Sequence, residues 1–363
     1  MTVLASASPG EVRVAVTDGT GLRDYALWRP GAPDGVGDVY RGRVLARMPA
    51  LAGTFVAIPG GEGFLPDSAG GRGLGVGDAV AVRVTRAAQG GKGPRLAVAA
   101  DLSAGQGTPA LLRRGPDPVQ RLAAAWPAAP VLVDDAALAA TLRPALGERL
   151  RLVSRAFDEA TEGAVAALAE PVAELPGGLR MHVQPTAALT AIDLDLAAAA
   201  GGRAGKAAVH LAANQGALAA LARQIRLRNL SGAILVDFAG LAPRRRAALG
   251  PALAAALAEE AGDARLLGFT ALGLAEILRP RVHAPLHELL AGSHAAGLAA
   301  LRHLAGEIAA RPGRAPALRA APAVVAALRQ DSVALAEVAH RAGRPLMLQA
   351  DPGLAPLGWE IAE

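Results

Sequence analysis

Apolar and polar residues alternate along EVRVAV (residues 11–16), the period-two pattern of a half-buried strand, and after the turn DGTGL a second strand is expected over Arg23 to Trp28. A β-hairpin follows from the pair. The Pro- and Gly-rich stretch RPGAPDGVGD (29–38) reads as a linker, and beyond it come short β-runs separated by glycine: VYRGRVLARM, GTFVAI, GEGFLP, AVAVRVTRA and RLAVAA. Five short strands in about seventy residues predict a small barrel of the oligonucleotide-binding type. From Pro109 to Glu174 the pattern is helical and alanine-rich, broken by strands at Pro130 to Val133 and near Leu150 to Val153. LPGG (175–178) is a turn, and LRMHVQPTAALTAIDLD resumes strand texture. In the helix expected after Gly205, Leu211, Leu218, Leu221 and Ile225 form one apolar stripe, with Arg223, Arg226 and Arg228 gathered near its end. Past Phe238 lie a basic cluster (PRRRAAL), an alanine-rich helix, and LLGFTALGLAEILRPR, which reads as a strand and then a helix. From about Gly292 the chain reads as a compact helix-and-strand appendage closing on RPLMLQA, and no internal repeats stand out.

The stretch Leu189 to Phe238 carries the densest chemistry. Alternate residues of a strand share a face, so Asp193 and Asp195 point one way while Ile192 and Leu194 point into a core. A basic helix follows, and then a second apolar run, SGAILVDF, ends in Asp237. Carboxylates at adjacent strand ends suit a hard divalent cation, which takes one or two protein carboxylates and fills its other positions with water and substrate phosphate. The spacing leaves a second reading open, in which these acids cap strand ends or pair with arginines.

Other chemistries fit less well. The stretches GGEGFLP, GGRGLGVGD and GGKGPRL match neither a Walker loop nor a dinucleotide fingerprint, and read as turns. His283 and His287, spaced i, i+4 on an expected helix, have no evident third ligand and suit structural or surface roles. No GxSxG elbow occurs.

The chain has 363 residues, enough for two or three domains, with a formal net charge of +5. Lysine occurs only at Lys92 and Lys206, so the positive charge is almost all arginine, whose planar fork suits phosphate, although an Ala- and Arg-heavy codon bias accounts for it equally. The absence of cysteine excludes disulfides and thiolate zinc sites. The amino terminus lacks signal-peptide character and the alanine runs are interrupted before they could span a bilayer, so a cytoplasmic protein with no membrane association is expected.

These stretches resemble the catalytic region of the ribonuclease E/G family. ARQIRLRNLSGAILVDF (222–238) is similar to the family signature in which a basic helix leads into a strand ending in a metal-binding aspartate, and QPTAALTAID (184–193) to the segment carrying the first such aspartate. SPGEVRVAVTDG, GDVYRGRVLARMPALAGTFVAI, GFLP, GGKGPRL and GFTALGLAEILRPR follow in the family's order. The resemblance implies an α/β (α+β multidomain) fold. A reduced RNase H-like subdomain (1–34 plus 103–174) would be interrupted by an S1-type barrel (35–102). A DNase I-like catalytic subdomain (175–291) and a small C-terminal α/β domain (292–363) would follow. It also implies an Mg²⁺-dependent endoribonuclease acting on single-stranded RNA and leaving a 5′-phosphate and a 3′-hydroxyl. Asp193 and Asp237 would be the metal ligands, and Asp195 a third catalytic acid. Phe55 and Phe64 would stack on bases, with the barrel core as their alternative place, and Lys92 would be a basic contact; Arg41 and Arg43 complete the candidate RNA contacts. A homodimer through the DNase I-like part is implied as well.

The chain departs from the family pattern in several places. Asp195 stands where the family has asparagine, LAAAAGGRAG replaces a small polar run, and VDFAGL lacks a second acid. A long segment that would hold the Arg-Thr pocket for a 5′-monophosphate is missing, so cleavage without 5′-end sensing is expected. The zinc-link cysteines are replaced by ELLAGSHAAG from Glu288 on, so no zinc is expected. Asp195 and the altered loop also motivate an alternative, a catalytically idle RNA-binding protein. The alanine-rich helices leave a third reading, an interaction module, for which no partner motif is present.

Overall fold

Short apolar-alternating segments pair along their backbones, and among the described residues they do so in four separate sheets. The computed structural model describes residues 1–196, 205–311 and 317–362. The chain divides into two compact units, residues 1–33, 117–169 and 286–363 in one and residues 34–116 with 170–285 in the other. The protein is thus a mixed α/β chain built of several sheets, one of them a closed barrel.

The first unit holds a five-stranded sheet in the order Leu150–Leu152, Val131–Val133, Thr2–Ser8, Glu11–Thr17, Leu22–Trp28. The expected hairpin is present, with Val12, Val14 and Val16 in the core. Helix Pro118–Ala125 starts in a capping box between Asp117 and Gln120. The same unit also holds a three-stranded sheet (Met347–Ala350, Ala317–Ala320, Trp359–Ile361) with helices Gly292–Ala310, Pro322–Gln330 and Ser332–Ala342, packed around Leu298, Leu301, Val324 and Leu328.

In the second unit, Val39–Met48, Gly53–Ile58, Gly61–Pro66, Arg95–Val98 and Ala79–Arg86 pair in sequence around a closed ring, since Val39–Met48 bonds both to Gly53–Ile58 and to Ala79–Arg86. Val44, Val56, Leu65, Val82, Val84 and Leu96 fill the barrel. Gly42 is required at its wall, because a Cβ there would collide with Val56 Cγ1.

The same unit contains a six-stranded sheet in the order Val172–Leu175, Leu179–Pro185, Leu189–Leu196, Gly232–Asp237, Ala275–Arg279, Arg265–Phe269. Its one parallel pair, Leu189–Leu196 beside Gly232–Asp237, is joined by the long helix Lys206–Leu227. That helix and Gly250–Glu260 bury Leu218, Leu221, Ile225, Leu253 and Leu257 against Met181, Ile192, Leu194, Ile234, Val236 and Ile277.

Three expectations are corrected. In LLGFTALGLAEILRPR the second element is a strand, not a helix: Arg265–Phe269 and Ala275–Arg279 pair antiparallel, with Gly273 at φ 83 closing the turn between them. Ala275 and Ile277 are buried while Glu276 and Leu278 are not, a period of two hidden by the segment's helix-forming composition. Thr2–Ser8, Ala110–Arg113 and Val172–Leu175 are strands that pattern reading did not assign. His283 and His287 share no helix, since only His287 lies in the short helix Leu286–Leu289 while His283 Nδ1 pairs with Asp34 Oδ2 at 2.5 Å. The altered loop after Asp195 falls on residues 197–204, outside the described residues.

The collision at Gly42 gives a direct stability test. Gly42→Ala overfills the barrel wall and is expected to destabilise the protein by about 1–3 kcal/mol. Denaturant unfolding followed by circular dichroism measures it, and an unchanged midpoint would remove Gly42 from the packing account.

Candidate metal centre and nucleic-acid interface

A crossover helix makes its two strands run the same way, so their C-terminal ends finish at the same edge of the sheet. The register is Leu189 with Ala233, Thr190 with Ile234, Ala191 with Leu235, Ile192 with Val236 and Asp193 with Asp237. Residues paired in register point to the same face. Ile192 and Val236 take the helix-covered face, which leaves Asp193 and Asp237 side by side on the open one. Asp195, two residues on from Asp193, lies on that face as well. His182 is the register partner of Asp193 on the other side, and its Nε2 is 3.9 Å from Asp195 Oδ2.

This grouping concentrates negative charge. Partial burial pushes the Asp193 carboxyl up from its ordinary range, and the charges of Asp195 and Asp237 push it the same way, against weaker opposition from His182 and Arg246. Asp237 is held by Arg246, whose Nη1 forms an ion pair with Oδ1 while its Nε donates to Leu241 O at 2.6 Å. The pair is ionic rather than a well-aligned hydrogen bond, because Asp237 Oδ1 has no partner of hydrogen-bonding geometry. Arg246 comes from the PRRRAAL cluster, which was legible in sequence without a role.

Below the acids, Asn214 is fully buried and its Nδ2 donates to His210 O at 2.7 Å and to Ala239 O at 3.0 Å, pinning the turn that follows Asp237. A Cβ on Gly240 (φ 60) would meet the His210 ring, so glycine lets this turn close over the long helix. No sequence motif pointed to His182, His210 or Asn214.

The donor set fits a hard divalent cation. Two carboxylates in register supply oxygen ligands, their mutual repulsion is relieved by a positive charge, and the open face leaves room for water and phosphate. Among the described residues, no group of three His, Cys, Asp or Glu is arranged to hold a metal.

In the barrel, Phe55 and Phe64 are register partners with ring centroids 5.5 Å apart in an edge-to-face arrangement, and both are half-buried, whereas Val56 and Leu65 beside them are buried in the barrel core. Lys92 is exposed in a tight turn closed by paired backbone bonds with Gln89. Arg41 and Arg43 are differently occupied: Arg41 Nε donates to Ala104 O at 2.6 Å, and Arg43 donates to Gly77 O at 3.2 Å and Gly107 O at 3.4 Å. These two brace neighbouring loops.

Comparison with known proteins bears on the same stretch. Residues 136–282 match the family model described as the Ribonuclease E/G family. Ribonuclease G of Escherichia coli (strain K12) is 30% identical over 195 residues, which cover 49% of this chain and 40% of that protein. Ribonuclease E of Nostoc sp. is 33% identical over 121 residues, covering 33% of this chain and 18% of that protein. Ribonuclease G of Haemophilus influenzae is 30% identical over 152 residues, with 40% and 31% covered. The matched chain thus spans less than half the length of these relatives.

The charge crowding at Asp193 has a measurable consequence. A carboxyl whose folded pKa lies above its unfolded value of about 3.9 favours the fold below that value and loses the advantage as pH rises through the folded pKa. Asp193→Asn, which mimics the protonated form, should raise the thermal midpoint at pH 7 in EDTA and leave it nearly unchanged at pH 3. Equal midpoints of variant and wild type at pH 7 would show that the crowding costs nothing.

Proposed function

We propose that this chain, whose residues 136–282 match the ribonuclease E/G family model, is an endoribonuclease of that family that cuts single-stranded RNA at Asp193 and Asp237. The observation that carries this reading is the in-register placement of these two aspartates at the C-terminal ends of the parallel strands, inside the family-matched region. Mg²⁺ held by Asp193 and Asp237 would supply Lewis acidity at the scissile phosphodiester and favour in-line hydrolysis to a 5′-phosphate and a 3′-hydroxyl.

The chain's own residues have separate tasks. Arg246 neutralises Asp237 in the free protein and keeps a guanidinium at the same edge, where a substrate phosphate offers it an alternative anion. Asp195 adds a third carboxylate beside His182 and strengthens the field that attracts a cation. Asn214 fixes the backbone after Asp237, so that this carboxylate does not drift from its partner. Phe55 and Phe64 offer stacking faces, worth roughly 1–3 kcal/mol per base, and Lys92 a nearby cation.

We place the activity in the cytoplasm, which cell fractionation checks; among the described residues no helix is long and apolar enough to cross a membrane. The reading includes the four subdomains set out from the sequence and the absence of zinc. It also includes a homodimer through the catalytic sheet, where Leu267 and Leu278 are exposed. Sedimentation of the wild type as a dimer, shifted toward monomer by Leu267→Lys with Leu278→Lys, is the expected outcome, and a monomeric wild type would exclude that pairing.

The central test is cleavage of a fluorescent single-stranded RNA in Mg²⁺. Wild type should cut, equally well with a 5′-hydroxyl or a 5′-phosphate, and yield 3′-hydroxyl ends. Asp193→Asn and Asp237→Asn should each reduce cutting to background while RNA binding in EDTA persists. Cutting that survived both substitutions would overturn the site, and tight binding with no cutting by wild type would overturn the enzyme.

A further inference from the structure

A row of side chains crosses four strands of the barrel. Phe55 is the register partner of Phe64, Phe64 of Arg95, and Arg95 of Arg86. Neighbouring strands lie about 4.8 Å apart, so the backbone positions that carry two phenylalanines and two arginines follow one another across the barrel wall. Just after Arg86 the barrel is tied to the catalytic sheet's last connection, for Ala87 N donates to Val282 O at 2.8 Å. That bond brings Arg281 to the same place. The Arg281 guanidinium lies against Gly232, the first residue of the strand that ends in Asp237, where the positive φ of 81 favours glycine and a Cβ would displace the guanidinium from its present seat.

Arg86 is thus flanked by two further arginines, its register partner Arg95 and, through the Ala87 to Val282 bond, Arg281, and the charges of both act on it. Among the described residues none of the three is paired with a carboxylate, and Arg86 Nε is buried with no acceptor. Buried donors without partners are rare and costly, and like charges gathered without a counter-ion repel. Burial and the two neighbouring guanidinium groups lower the proton affinity of Arg86, as expected of a cation cluster lacking its anion. A tetrahedral oxyanion removes both penalties, because it supplies acceptors to several guanidinium forks and neutralises their charge.

We propose that Arg86, Arg95 and Arg281 form a phosphate clamp that holds an internal phosphodiester of single-stranded RNA next to the bases stacked on Phe64 and Phe55. This rests on the RNA-cutting reading for the identity of the polyanion. Its geometry stands on the cross-strand row, the Ala87 to Val282 bond and the seat of Arg281 on Gly232. Gly232 and Asp237 are the two ends of one strand, so the clamp lies about 16 Å along that strand from the acids. An RNA held at the clamp is several nucleotides from the point of cleavage.

The test is fluorescence-anisotropy binding of a single-stranded oligoribonucleotide to the full chain in EDTA, across a salt series. Arg95→Gln and Arg281→Gln alter exposed side chains and keep the fold. Each should weaken binding about tenfold at low salt. Each should also lower the slope of log affinity against log salt by about 0.7, the loss of one phosphate contact. Single methylphosphonate replacements along the RNA should reveal one internal linkage to which wild type is sensitive and Arg281→Gln is not. Unchanged affinity and slope in both variants would overturn the clamp. So would a loss confined to 5′-phosphorylated RNA, which would make the ligand a terminal phosphate. Cleavage by wild type is scored separately in Mg²⁺, so a protein that binds in this way without cutting refutes the enzyme and leaves the clamp standing.

Discussion

The in-register parallel pairing of Leu189–Leu196 with Gly232–Asp237 is the constraint on which the site depends. A shift of one residue in either strand would turn its acid into the helix-packed core and bring Ile192 or Val236 out to water. The register is held by burial: Ile192, Leu194, Ile234 and Val236 are each at most 2% exposed, so slippage would forfeit several fully buried side chains. The long helix makes parallel pairing possible and packs Leu218, Leu221 and Ile225 on the same core. Asn214, on that helix, then fixes the turn beyond Asp237. One hydrophobic layer thereby sets both the position and the direction of the carboxylates.

Much of this was legible in the sequence because it follows from period and polarity. The hairpin, the five barrel strands, the long helix and the two acid-ended strands all have strong alternation or a clear stripe. The strand Ala275–Arg279 was not legible, because Ala, Glu, Leu and Arg are good helix formers and it is pairing with Gly232–Asp237 on one side and Arg265–Phe269 on the other that makes them a strand. Ala110–Arg113 is four residues long and becomes a strand by adding to Val39–Met48. Such short segments take their conformation from a neighbour that local pattern does not reveal.

The site shows the same division. Asp193, Asp195 and Asp237 were visible because each ends or follows an apolar run, whereas His182 joins them through an antiparallel register and Arg246 from the short helix Pro243–Ala247. Arg41 and Arg43, expected from the sequence as RNA contacts, also donate to carbonyls of nearby loops. Arg86, Arg95 and Arg281 give no signal in a chain so rich in arginine. What distinguishes them is a relation among strands: two are cross-strand neighbours and the third arrives from another sheet.

Seen along the strand Gly232–Asp237, charge is arranged with opposite sign at the two ends. At its start Arg281 stands with two further cations and, among the described residues, no paired carboxylate, and at its finish Asp237 stands with two further acids and one arginine. A polyanion is attracted to the first end and repelled from the second unless a cation is present there. Binding of a nucleic acid and binding of a divalent cation are therefore expected to assist each other at the acidic end, and to be independent at the basic end. The strand is rigid, since Ile234 and Val236 are fully buried, so the separation between the two ends is a fixed length of the fold. An extended single strand anchored at the arginines can follow that length to the aspartates, whereas a compact anion held by the same arginines cannot span it. The charge layout thus favours a long, flexible polyanion over a small phosphorylated ligand.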